Sequence, residues 1–261
     1  TPNGNISVSI FRMPMLPLFI PPREGFFAGV LNDTIVFGGG YDKVVTYADW
    51  YRTSDLTNYT LVSTSAPQLR YGRSVAYNST HLIYVGGRYV TLTNRIHLVS
   101  VDGTVSIMGT MPTPFYAPCA VLINDTLHIF TGRTTTGQTF WASHMSYPII
   151  NGQLGSLVNI SIPSVLYLRS DASATAWKNG IVLVGGINAA AAATLNDVWF
   201  YNGTVWNMLT SQASFATRYT HKVITYNERL FVVGTLVSVI VCYFVVIKLD
   251  CLSAHIEYGV V

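Results

Sequence analysis

Apolar runs of three or four residues, each closed by a pair of small residues, recur along the chain at nearly even intervals. They read Ile35-Val36-Phe37 before Gly38-Gly39, 82–85 before Gly86-Gly87, 127–130 before Thr131-Gly132, 181–184 before Gly185-Gly186 and 230–233 before Gly234-Thr235. The first members of successive pairs lie 48, 45, 54 and 49 residues apart. An asparagine stands shortly before each run, at Asn32, Asn78, Asn124, Asn179 and Asn227. Short β-branched runs bounded by such residues read as strands joined by tight hairpin turns. A period of 40–50 residues with four short strands per unit marks a β-propeller blade. One such sheet cannot bury both faces alone, so the units are expected to stack around a shared axis.

The pattern places blade-one strands at 25–31, 34–37, 46–52 and 59–63, and blade-two strands at 73–77, 81–85, 95–101 and 104–108. Blade three is expected at 117–123, 126–130, 139–147 and 157–162, with a turn at Asn151-Gly152. Blade four begins near Ala172 and continues through 181–184, 197–201 and a last strand past Trp206; five alanines at 189–193 read as a smooth loop. They are too few to sustain a helix by themselves.

Residues 230–247 are eighteen positions without a charge, long enough to span a membrane as a helix. The segment nevertheless repeats the turn, strand and small pair in phase, and it is rich in Val and Ile, which favour strands. Strands are therefore expected here. Residues 1–22 stand apart from the repeats: 5–13 alternate like a strand, and Pro14, Pro17, Pro21 and Pro22 follow. The expected organisation is an N-terminal extended segment, 1–22, and a single repeat domain, 23–261.

The glycine pair closing a hydrophobic strand, with Tyr201 and Trp206 downstream, resembles the kelch repeat. The fourth unit carries the whole pattern; the third has Thr131 for the first glycine, and the fifth has Thr235 for the second. The resemblance implies an all-β protein, a propeller of about five four-stranded kelch-like blades. Such propellers, galactose-oxidase-like ones included, serve as enzymes, adhesion modules and adaptors, so fold does not choose among functions.

Composition narrows the choice. Half the residues are hydrophobic, only 10% are charged, and the net charge is +3. That balance, without basic runs or interleaved aromatics, argues against a nucleic-acid partner. Seven Asn-x-Ser/Thr sequons occur, at Asn5, Asn32, Asn58, Asn78, Asn124, Asn159 and Asn202. The residue counts would give roughly three by chance, so the excess points to a secreted or surface N-glycoprotein. A start at Thr1-Pro2 suits a chain whose leader has been removed.

Three cysteines are too few for a disulfide scaffold. Cys242 and Cys251 would pair if register brought them opposite each other, while Cys119 reads as a small buried hydrophobe. The six histidines show no zinc-ligand spacing, and no nucleophile elbow or phosphate loop is present, so no catalytic residue, metal or cofactor is called for.

Arg23, Arg70, Arg169 and Arg218 recur 15 or 16 residues before the small pair, where one blade leads into the next. They would either line a ligand-binding face or lock neighbouring blades through loop carbonyls. Three function classes follow: a non-catalytic binding or adhesion module for a protein or glycan, a structural subunit that assembles with copies of itself into a filament or coat, and a carbohydrate oxidase or isomerase. The absence of a catalytic constellation favours the first two.

Overall fold

A computed structural model of the chain describes residues 20–64, 67–88, 91–134, 143–188, 191–236, 239–250 and 253–260, with side chains described up to residue 234. Its strands form five antiparallel sheets taken in chain order. Sheet one holds β1 (Phe27–Leu31), β2 (Thr34–Gly38), β3 (Trp50–Thr53) and β4 (Thr60–Ser63). Sheet two holds β5 (Arg73–Ala76), β6 (His81–Val85), β7 (Arg95–Ser100) and β8 (Val105–Thr110). In sheet three, β9 (Cys119–Ile123), β10 (Thr126–Phe130) and β11 (His144–Ile150) are followed by β12 (Gln153–Leu154) and β13 (Val158–Ile160), which both pair with β11.

Sheet four starts with β14 (Arg169–Ser170) and β15 (Ser173–Trp177), both on β16 (Gly180–Asn188), and ends with β17 (Ala193–Tyr201) and β18 (Trp206–Thr210). Sheet five comprises β19 (Lys222–Tyr226), β20 (Arg229–Leu236), β21 (Val239–Asp250) and β22 (Ser253–Val260). Residues 230–247 are thus carried by strands β20 and β21, and among the described residues no helix is long and apolar enough to cross a membrane.

The turn residues explain the hairpins. Asn32 (φ 48) and Asp33 (φ 60) both take the left-handed region between the paired residues Leu31 and Thr34. Asn124 with Asp125 and Asn227 with Glu228 repeat this two-residue turn, whose twist matches that of the strands it joins. Asn78 acts through its side chain instead: Oδ1 accepts from the Thr80 and His81 amides at 2.9 and 2.8 Å.

The apolar runs are continuous rather than alternating because the second strand of each inner sheet is covered on both faces. Ile181 and Leu183 face sheet three, packing with Val121 and Phe130 there and with Trp206 of their own sheet, whereas Val182 and Val184 face sheet five and pack with Phe215, Val223 and Leu230. Phe27, Val36 and Trp50 pack likewise on Leu82 and Tyr84 between sheets one and two. Ile83, Val85 and Ile96 pack on Leu127 and Ile129 between sheets two and three. The first strands of neighbouring sheets also touch, β1 on β5, β5 on β9 and β15 on β19. Arg73 on β5 reaches the carbonyls of Pro118 and Ala172, at 3.3 and 3.1 Å, joining sheets two, three and four at their inner ends.

Two readings shift in detail. The small pair of unit one is Gly39-Gly40, not Gly38-Gly39. Gly38 closes β2 opposite Trp50, and it is Gly39 (φ 67) and Gly40 (φ 88) that match Gly86 (φ 61) and Gly87 (φ 88). A Cβ on Gly39 would lie 2.2 Å from the Leu69 carbonyl oxygen, so that approach requires glycine. Ile20, before the expected domain start at residue 23, is buried against Phe37 and Tyr51 of sheet one. The expected strand at 5–13 lies outside the described residues.

Between sheets three and four runs a buried relay of polar groups. The Trp206 Nε1–H can only donate, so His144 Nδ1 accepts it at 3.2 Å. The His144 Nε2 must then carry the proton and donate to His128 Nδ1, at 2.8 Å. Both rings are neutral in this arrangement, since a second proton on either would set two N–H groups against each other. Burial pulls His128 and His97 down to about 4, and His144 and His221 down to about 3.

These folded-state values lie below the ordinary value of 6.5. As pH falls from about 6.5 towards 4, the unfolded chain takes up protons that the folded chain refuses. Stability should therefore drop with pH, by up to about 1.4 kcal/mol per pH unit for each histidine. Urea midpoints measured between pH 7 and about pH 4.5 should fall, with His128→Gln giving a shallower slope. A wild-type midpoint constant across that window would contradict the relay.

Candidate functional site at the end of the sheets without sequons

A meander sends its first-to-second and third-to-fourth turns to one end of each sheet, and its second-to-third loops to the other. The sequons obey this division. Asn32, Asn78 and Asn124 lie in the turns after β1, β5 and β9, and Asn58 and Asn202 lie in the turns after β3 and β17. Asn159 lies on β13, at the outer side of sheet three. All six of these side chains are exposed, whereas Asn5 falls outside the described residues. At Asn78 and Asn202 only the amide oxygen is engaged, by backbone N–H groups of the same turn and, at Asn78, by the Thr80 hydroxyl as well.

The opposite end carries the arginines, and there the structure separates them. The residue that enters each inner strand in the left-handed region is Gly25, Tyr71, Ala117, Asp171 or Thr220. Two positions before it stand Arg23, Leu69, Phe115, Arg169 and Arg218. The carbonyls of Leu69, Phe115, Arg169 and Arg218 each accept from the second residue of the preceding small pair, at 2.6–2.9 Å. Arg70 is therefore not the equivalent of Arg23, Arg169 and Arg218; Leu69 is. Arg70 sits one residue further on, bridged to Arg88 through the backbone, with its guanidinium 4.1 Å above the Tyr41 ring.

Arg169 and Arg23 make the same clamp. The Arg169 fork donates to both Asp197 carboxylate oxygens at 2.7 and 2.6 Å, and to the Gly185 carbonyl at 2.8 Å. The Arg23 fork donates to both oxygens of Asp49, at 2.5 and 3.0 Å, and to the Gly39 carbonyl at 3.1 Å. Each carboxylate also accepts from the aromatic residue two positions on: Trp199 Nε1 donates to Asp197 at 2.7 Å, and the Tyr51 hydroxyl donates to Asp49 at 2.9 Å. Burial opposes the Asp49 charge, but Arg23 and Tyr51 outweigh it and hold the carboxyl below its usual range.

These two forks are committed internally, so neither is free to hold a ligand. Arg218 has no such carboxylate among the described residues. Its Nε donates to the Ala216 carbonyl at 3.1 Å, its guanidinium lies 4.9 Å from the Phe215 ring, and burial lowers its pKa. The sequence carried a signal for the clamp, an Asp followed two residues later by an aromatic and placed ten to twelve residues after the small pair. It was legible only once the pair itself was in phase.

Sheets two and three lack the clamp in different ways. In sheet three its three positions are Phe115, Ser143 and Met145, which carry no charge. In sheet two they are Leu69, Arg95 and His97. Here a cleft of about 740 Å³ opens between sheets one and two, lined by Ala48, Gln68, Leu69, Thr93, Arg95 and His97 among others.

Cys119 is buried, its thiol donating to the Ala172 carbonyl at 3.3 Å; burial pushes its pKa up, so it is no nucleophile. Cys251 is outside the described residues, so the pairing expected with Cys242 lies there too. Among the described residues no cluster of His, Cys, Asp and Glu has the makings of a metal site.

No family model and no curated protein matches the chain. Its structure is similar to the solved structure titled "Structure of YjhT", with a TM-score of 0.76 at 11% identity over 90% of this chain and 84% of that one. At that identity the likeness is one of fold, a propeller-like arrangement of sheets.

Arg169→Ala should leave the Asp197 carboxylate buried without its counter-charge and cost about 3–5 kcal/mol. Replacing both residues, as Arg169→Met with Asp197→Leu, should cost less, because no lone charge remains. Thermal melts followed by circular dichroism compare the two. A single variant as stable as the wild type would show that the clamp is dispensable.

Proposed function

We propose that the five sheets are blades of a kelch-like propeller, secreted or displayed at a cell surface, N-glycosylated, and used as a non-catalytic module that binds a protein or glycan. The observation that carries this reading is the partition of the two ends. Five exposed sequons lie in turns at one end, at Asn32, Asn58, Asn78, Asn124 and Asn202. The other end has none in its loops and holds the cleft beside sheet two. Sugar of nanometre size on one end keeps that end from close contact and leaves the other for recognition.

A second reading, a structural subunit that assembles with its own copies, draws on the outer faces of the first and last sheets. Val30 of β1 and Ile224 and Tyr226 of β19 point away from sheets two and four, and each is about half exposed or more, at 59%, 49% and 65%. Apolar residues of this kind on two ends of a stack suit contact with another sheet. A sedimentation profile that stays monomeric as concentration rises would remove this second reading.

Expression through a secretory pathway followed by glycopeptide mass spectrometry should find the five turn sequons occupied. The ligand end is tested by planting a sugar on it. Thr91→Asn completes a sequon with Thr93 beside the cleft. The glycan it acquires should abolish binding to whole cells or to a printed glycan panel, whereas enzymatic removal of the native sugars should not. Unmodified native sequons, or full binding by the Thr91→Asn glycoform, would refute the reading.

A further inference from the structure

The corner at which an inner strand is entered is built to one plan in sheets one and four, and sheet two departs from it in a way that leaves donors without an acceptor. In sheets one and four a carboxylate occupies the centre, Asp49 or Asp197, and receives an arginine fork and an aromatic donor. Sheet three removes every charge at once. Sheet two removes only the acid: its central position is Arg95, a cation, and the aromatic donor becomes His97. With the arginine of the clamp replaced by Leu69, the space that an internal ion pair fills elsewhere is open as the cleft.

The groups left in that corner are short of partners. His97 is 5% exposed; its Nδ1 is sealed from solvent, and its Nε2, which is not sealed, is the nitrogen open to a ligand in the cleft. Arg95 is exposed and takes part in none of the ion pairs formed among the described residues. Both line the cleft, two residues apart on the same face of β7. Thr93 and Gln68 add polar atoms to the walls, and Leu69 adds an apolar one. A buried imidazole without a partner and a cation without a counter-charge form a site whose missing member is an oxyanion. The volume, about 740 Å³, lies in the range of small-molecule pockets.

We propose that the cleft between sheets one and two recognises the carboxylate of a small organic acid, which takes through Arg95 and His97 the place that Asp49 and Asp197 fill in their own sheets. This goes beyond the proposed binding of a protein or glycan and rests on that reading only in taking the sequon-free end as the ligand end. The carboxylate engages the Arg95 fork and accepts from His97 Nε2, the ring nitrogen that is not sealed, as Asp49 accepts from Tyr51 and Asp197 from Trp199. Recognition is thus of the acid group, and Leu69 with its polar neighbours takes the body of the ligand.

The test is a histidine-selective NMR titration of the whole chain at constant ionic strength. The probes are two acids with unlike bodies, sodium D-glucuronate and sodium benzoate, each with a neutral counterpart, D-glucose and benzamide. At least one acid should shift the His97 resonances saturably and raise the His97 pKa, while both neutral compounds leave them in place. Arg95→Ala should weaken that binding by about tenfold to a hundredfold, the loss of a charge-assisted pair of bonds. Arg95→Asp restores an internal acceptor. It should raise the His97 pKa with no ligand present and abolish binding of the acid.

Neither acid shifting His97 at tens of millimolar would overturn the proposal. So would a neutral compound that shifts it equally, or an Arg95→Asp variant that binds the acid as before. The readout belongs to this corner alone, so a silent His97 removes the corner and leaves the sequon partition standing.

Discussion

A four-stranded sheet whose second strand is apolar on both faces cannot exist alone, and the rest of this structure follows from that constraint. Burying one face against a neighbour leaves the other for the next, so the sheets stack in chain order. Val182 and Leu183 are adjacent in sequence and fully buried in different interfaces. At about 25 cal/mol per Å² of apolar surface, each such interface dominates local stability, and losing one neighbour exposes it whole. The same logic sets the exposure of Val30 and Ile224 at the two outer faces of the stack.

Stacked sheets trap polar groups, and how each is satisfied distinguishes the units. Arg169 with Asp197 and Arg23 with Asp49 bury opposite charges together with carbonyl and aromatic partners. Such pairs add little net stability over apolar packing, but they are costly to break singly and so fix one geometry. His128, His144 and Trp206 solve the problem without charge, through a chain of donors and acceptors in which each proton has one allowed position. Sheet two leaves its corner half satisfied, and there the cleft opens. Local frustration of that kind concentrates where a protein meets ligands.

The meander turns this packing into a division of labour. Every hairpin turn built on Asn brings an amide to one end, and several of those turns carry Ser or Thr two residues later. The turn chemistry and the sequon are therefore the same residue at Asn32, Asn78, Asn124 and Asn202. The opposite end must hold the small-pair glycines, since close backbone approaches such as Gly39 to Leu69 occur there. One end thus collects the sequons, and the other the tight loops and the cleft.

The number of units, their order, most strand positions and the strand character of residues 230–247 were legible in the sequence. Each of these rests on local chemistry, the turn-forming asparagines and the continuous β-branched runs. The phase within a unit was another matter. Gly38-Gly39-Gly40 offers two pairs, and only the backbone angles and the pairing of Gly38 with Trp50 select the second. One further residue in the second unit moved Arg70 off the clamp position and put Leu69 there, which residue counting across the repeats cannot see. The partners of Arg169 and His128 lie 28 and 16 residues away, and they meet only because strand register and sheet stacking bring them together. Pairing across strands is a property of register, and register is fixed by burial on both faces of a completed stack. That is why the tertiary structure alone decided which polar residues were partnered and which, like Arg95 and His97, were left facing a cleft.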